Sequence, residues 1–248
     1  LNGHRRGLSF RTVNLGGSHR HFALGALTGP AMDAALETMT WPTDAEIAAT
    51  GLLPPTVIFR RFSDAELAAL PEAIAAWYPT ATVGSESVFC DRDFLARAAT
   101  SSTQETDLLA LRIERDGEFV GFLSFERQPA ARTLHARLGL LAPAARTGLL
   151  GALGFPMFEA IGRLCGAELL LSWVTLASRH QQIFAERRGF RAVGVVPGFD
   201  RDRQPDGTVR RVYEALYAKA LGDEVALRPA PEALTPAVRA LLALIEPS

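Results

Sequence analysis

The chain has 248 residues, a formal net charge of −1 and 48% apolar residues, enough for one large folded unit with a proper core. Near-neutral charge removes the electrostatic basis for a nucleic-acid partner, and Arg, Glu or Gly interrupts every Ala/Leu run before it reaches the roughly 20 apolar residues of a membrane helix. The two cysteines, Cys90 and Cys165, stand far apart with no CxxC or Cys/His spacing, so no disulfide framework or zinc site is expected and a small molecule is the default partner.

Residues 1–55 carry weak signals: strands over 10–15 and 21–27 around Gly16-Gly17-Ser18, and a helix over 31–39, before Pro42, Pro54 and Pro55 break the pattern. The start at Leu1 lacks a charged-then-apolar order and a small-residue cleavage site. It reads as a trimmed or incomplete start, with the cytoplasm as the expected location. Lys219 is the only lysine amid many arginines and alanines, a bias that points to a GC-rich bacterial genome rather than to chemistry.

From Thr56 the pattern sharpens. Residues 56–62 read as a strand, and Ser63-Asp64-Ala65-Glu66 has the spacing of a capping box that opens a helix to about Ala76. A second helix is expected over 91–99. Runs 108–115 and 118–127 flank Asp116-Gly117, a pair suited to positive φ at both turn positions, and so predict a hairpin. Residues 133–141 alternate as a further strand up to Pro143. A helix over 153–165, a nearly all-apolar strand over 168–175 and a helix over 178–188 ended by Gly189 follow. Strands over 192–196 and 209–217 enclose a polar loop, 197–207. Beyond Leu221 a Pro-rich linker leads to an amphipathic helix with Leu234, Val238, Leu241, Leu242 and Ile245 on one stripe, which packs on the domain or on a second copy in a homodimer.

The order β-α-α-β-β-β-α-β-α-β-β resembles the GNAT superfamily of N-acyltransferases, and four stretches carry the resemblance. Asp116-Gly117-Glu118-Phe119-Val120-Gly121-Phe122 is similar to the family's hairpin into its third strand. Leu141-Ala142-Pro143-Ala144-Ala145-Arg146-Thr147-Gly148-Leu149-Leu150-Gly151 falls on its donor loop, where Arg146 and Gly151 fit the pattern Gln/Arg-x-x-Gly-x-Gly/Ala and Leu149 replaces the central glycine. Gly166 before Glu168-Leu169-Leu170-Leu171 resembles the start of the family's fifth strand, and Arg188-Gly189-Phe190 the end of the following helix. Ser178 and Ala185 stand where the family usually keeps an Asn and the Tyr that protonates the leaving thiolate.

The resemblance implies an α/β fold with a mixed central sheet flanked by helices, organised as an N-terminal extension (1–55), an acyltransferase domain (56–221) and a linker with C-terminal helix (222–248). It implies acetyl-CoA or another acyl-CoA as donor, no metal, and an amine of a small molecule or peptide as acceptor. Arg146, Gly148, Leu149 and Gly151 would cradle the pyrophosphate at a helix N-terminus, and Leu141 and its neighbours would pair with the pantetheine arm. A long-chain acyl-CoA or an acyl carrier protein as donor, as in N-acyl amino acid synthases, and a non-catalytic ligand-binding or regulatory domain are the alternatives.

Amine acylation needs a neutral amine and oxyanion stabilisation, so a base near neutrality is useful. His135, on the fourth strand with Arg137 two residues on, is the first candidate, and in some arylalkylamine-type members a His-x-His pair occupies this place. Glu126 on the third strand is the second. A hydrogen-bonded strand histidine and a solvated carboxylate are the structural alternatives. His180 could replace the missing acid, while His19 and His21 lack the further ligands a metal site requires.

Overall fold

The computed structural model describes residues 39–98, 106–146, 153–177, 179–222 and 229–245. The expected strands at 10–15 and 21–27, nearly all of the expected helix at 31–39, and Gly148, Leu149 and Gly151 lie outside them.

Strands β1 (Val57–Arg61), β2 (Leu108–Arg115), β3 (Glu118–Gln128), β4 (Thr133–Leu141), β5 (Leu169–Thr175), β6 (Arg191–Arg203) and β7 (Val209–Ala220) form a seven-stranded sheet in the order β1-β2-β3-β4-β5-β7-β6. Only β4 and β5 run parallel. The helices among the described residues are α1 (Asp44–Ala48), α2 (Asp64–Trp77), α3 (Arg92–Ala98), α4 (Gly154–Leu164), α5 (Arg179–Arg187) and α6 (Pro236–Ile245). The α2 capping box forms as its sequence requires, with the Ser63 N–H donating to Glu66 Oε2 at 2.9 Å. The β2–β3 turn places Asp116 at φ 54° and Gly117 at φ 84°.

Alternation along the strands gives the sheet two apolar faces. Leu108, Ala110, Phe122 and Leu140 meet Leu67, Leu70 and Ile74 of α2, Leu95 of α3 and Phe89. On the other face Leu109, Leu111, Ile113, Phe125, Leu134 and Val174 meet Met157, Phe158 and Ile161 of α4 and Ala185 of α5. Met39, Trp41 and Ile47 belong to this second cluster, so the core reaches back before the strand that opens at Val57.

The polar loop expected at 197–207 is largely strand. β6 continues to Arg203, and only 204–208 connect it to β7. Pro197 and Gly198 sit in a bulge: register is interrupted between Val196 and Asp200, with Gly198 at φ 65°, and resumes with Asp200 opposite Val212. A Pro-Gly pair that marks a loop in the sequence here marks a bend within one long hairpin. On α6 no described residue is buried, and Leu244 remains 82% exposed.

Candidate active site

The site begins where β4 and β5 part. Their register covers only Thr133–Ala136 against Leu169–Ser172, after which β4 residues 137–141 and β5 residues 173–175 are not paired with each other. The divergence follows from a bulge in β4. Leu123 faces Gly139 and Phe125 faces Ala136, leaving Arg137 and Leu138 opposite Ser124 alone. The buried Ser124 hydroxyl accepts from the Leu138 N–H and donates to the Leu138 carbonyl, each at 2.9 Å, and so replaces the ladder bonds lost there.

The gap opens to both faces of the sheet. A cavity of about 480 Å³ on the α4/α5 face is lined by Arg146, Gly154, Phe155, Phe158, His180 and Phe184. A second, of about 540 Å³, lies on the α2 face and is lined by Glu86, Glu126, His135, Asp200, Asp202, Phe199 and Glu214. Tyr78, Arg137, Leu138, Gly139, Leu140, Trp173, Thr175 and Gln181 line both, so the gap joins them.

The sequence candidates divide between the two cavities. Glu126 and His135 are cross-strand neighbours on the second wall. Arg137 makes a short ion pair with Glu126 and a 3.4 Å contact to Glu86. The His135 Nε2 is buried and without a partner. Burial holds this imidazole below its ordinary range; the Arg137 charge acts the same way and Glu126 opposes it. Burial also raises Glu86.

Leu141 and Arg146 stand at the first cavity. The Arg146 guanidinium lies 4.0 Å over the Tyr78 ring and donates to the carbonyls of Trp77 at 2.6 Å and Leu141 at 3.2 Å. It therefore ties the C-terminus of α2 to the end of β4. Ala185, at the place of the family's tyrosine, is fully buried in the core, whereas His180 faces the cavity.

Sequence reading did not single out Glu86, Trp173 or Glu214. Glu214 pairs with Thr175 on β5, and Trp173 stacks on Phe199 with centroids 3.9 Å apart. The alternation of β7 could have placed Glu214 on the face of β5 Thr175, but only the observed register names its neighbour.

A scan against protein-family models finds no match for this sequence, and a search of curated proteins finds none. Solved structures do match. A probable acetyltransferase from Staphylococcus epidermidis superposes with a TM-score of 0.54 at 9% identity, over 67% of this chain and 99% of that one. The dodecameric spermidine N-acetyltransferase from Vibrio cholerae gives 0.52 at 10% identity, over 67% and 95%. The fold is that of the GNAT acyltransferases. At such identity the likeness concerns the fold; no helix among the described residues is long and apolar enough to cross a membrane.

Proposed function

We propose that this chain is an N-acyltransferase that moves an acyl group, acetyl in the first instance, from acyl-CoA to an amine of a small molecule. One observation carries the reading: a gap between β4 and β5 that joins a cavity beside the start of α4 to an acid-lined cavity on the opposite face. Such a passage lets two substrates enter from opposite sides and meet at one point.

The donor enters from the α4 side. Its pyrophosphate lies at the N-terminus of α4, where the first N–H groups of a helix lack partners and carry partial positive charge, with Arg146 beside it; the sequence assigns Gly148, Leu149 and Gly151 to the same cradle. Its pantetheine arm runs along β4 from Leu138 to Leu141, whose edge toward β5 is free of strand pairing. The thioester then faces Trp173 across the gap.

The acceptor enters from the α2 side. Five carboxylates, Glu86, Glu126, Asp200, Asp202 and Glu214, line that cavity against two arginines, Arg137 and Arg201, which favours a cationic amine over an anionic one. The amine attacks the thioester carbonyl, a C–N bond forms, the C–S bond breaks, and CoA leaves as the thiol. Bringing the two reactants together supplies much of the rate, so no covalent intermediate on the protein is required.

Incubation with acetyl-CoA and a panel of primary amines, followed by mass spectrometry of the amines, tests this. An N-acetylated product dependent on the protein is expected; unmodified amines across mono-, di- and polyamines would contradict it.

A further inference from the structure

Three of the five carboxylates on the acceptor wall are committed. Glu126 pairs with Arg137, and Glu86 shares that arginine. Asp200 accepts from the N–H and hydroxyl of Ser85 at 2.7 and 2.8 Å, and so fastens β6 to the turn Ser85–Cys90. Asp202 sits farther along the hairpin, opposite Arg210. Among the described residues neither the Asp202 nor the Glu214 carboxylate makes a hydrogen bond or ion pair. Of the two, Glu214 is the one whose cross-strand neighbour lies on β5: it pairs with Thr175, in the stretch of β5 that is not paired with β4.

Its surroundings are mostly negative or uncharged. β6 presents Asp200 and Asp202 with Arg201, the turn presents Glu86, and β3 and β4 present Glu126, His135 and Arg137, while β5 and α5 present Trp173, Thr175 and Gln181. Of the positive groups, Arg137 is held between two glutamates, and Arg201 is exposed to solvent. The His135 Nε2 has no exposed surface through which to meet a ligand.

We infer that the Glu214 carboxylate receives the acceptor's ammonium nitrogen and takes a proton from it before the amine attacks. This rests on the acyl-transfer reading above. The ammonium gives one proton to Glu214, leaving a neutral amine and a carboxylic acid. When the C–N bond forms and the C–S bond breaks, the nitrogen sheds a second proton; the thiolate takes one, and solvent takes the other from Glu214. No oxidant or further co-reactant enters. Burial, then the charges of Asp200, Glu86 and Asp202, push this carboxyl up to about 7, which suits a group that must bind and release a proton near neutrality.

The test is a carboxyl ¹³C titration of glutamate-labelled protein without donor, with the Glu214 resonance assigned by its loss in Glu214→Gln. The expected midpoint lies near neutrality and falls by about one unit when 1,4-diaminobutane dihydrochloride is added. A midpoint near the ordinary 4.5, or one indifferent to the diamine, would overturn the inference. In the acetyl-transfer assay, Glu214→Gln should lose the ascending limb of kcat/KM against pH and on the order of 100-fold in rate. Glu214→Asp should keep the limb, as should His135→Gln. A limb that survives in Glu214→Gln also overturns the assignment. Absence of transfer with every amine would remove the acyl-transfer reading, and the resonance titration would still decide the binding role of Glu214.

Discussion

Arg146 and Glu214 can each be tested for structure and for chemistry by separate measurements. If Arg146 contacts the donor pyrophosphate, Arg146→Ala forfeits a charge-assisted contact of about 1.5–3 kcal/mol, and calorimetry should show acetyl-CoA binding at least tenfold weaker. The same change frees the Trp77 carbonyl and uncovers Tyr78, so melting should also fall. A lower Tm with unchanged donor affinity would confine Arg146 to tying α2 to β4. Glu214 carries the opposite sign. Its carboxyl, raised to about 7, is more protonated in the folded than in the unfolded chain, so ionising it costs folded stability as pH rises from 4.5 toward 7. Glu214→Gln should therefore stabilise the protein at pH 8 and not at pH 4. Its half-open setting limits the gain to about 1 kcal/mol, or roughly 2–4 °C in Tm. Equal melting of variant and parent at pH 8 would show that the carboxylate bears no such strain.

The elements are held in place by few, local devices. The bulge that parts β4 from β5 rests on the Ser124 hydroxyl, so Ser124→Ala leaves the Leu138 N–H without its partner in a buried setting, at about 1–3 kcal/mol. Thermal melting should show that loss; an unchanged Tm would mean that the strand re-pairs without the hydroxyl. The turn Ser85–Cys90 is fixed to β6 at Gly84, whose φ is 88° and where an added Cβ would stand 2.3 Å from Asp200 Oδ1. Gly84→Ala should therefore lower Tm and loosen the acceptor wall, raising the KM for the amine more than it lowers kcat. A variant with parental KM would show that this wall does not shape the amine site. Most elements were legible because each follows from local chemistry: the capping box of α2, Asp116-Gly117 in the hairpin, Gly189 after α5. The β6 extension was not, because Pro197 and Gly198 have the same local signature in a loop and in a bulge, and only pairing with β7 distinguishes them.

Over the whole molecule, the order of elements and the spacing of Pro143, Arg146 and Gly151 were enough to reach the fold, while the site was legible only in part. His135 and Glu126 do share one wall, as their positions on neighbouring strands require, yet Arg137 binds Glu126 and the sheet encloses the His135 nitrogen. Glu214 lies 79 residues beyond His135 in the chain and meets the gap only through the β5–β7 register. The contribution of residues 39–47 to the core was equally hidden, since Trp41 and Ile47 are single apolar positions in a short, Pro-interrupted stretch. The most direct measurement is a crystal structure of the protein grown with acetyl-CoA. The expected density runs from a pyrophosphate at the start of α4, along Leu141 to Leu138, to a thioester between β4 and Trp173 that opens toward Glu214. A donor bound elsewhere, with the gap between β4 and β5 left closed to it, would contradict the assignment of this passage as the place where thioester and amine meet.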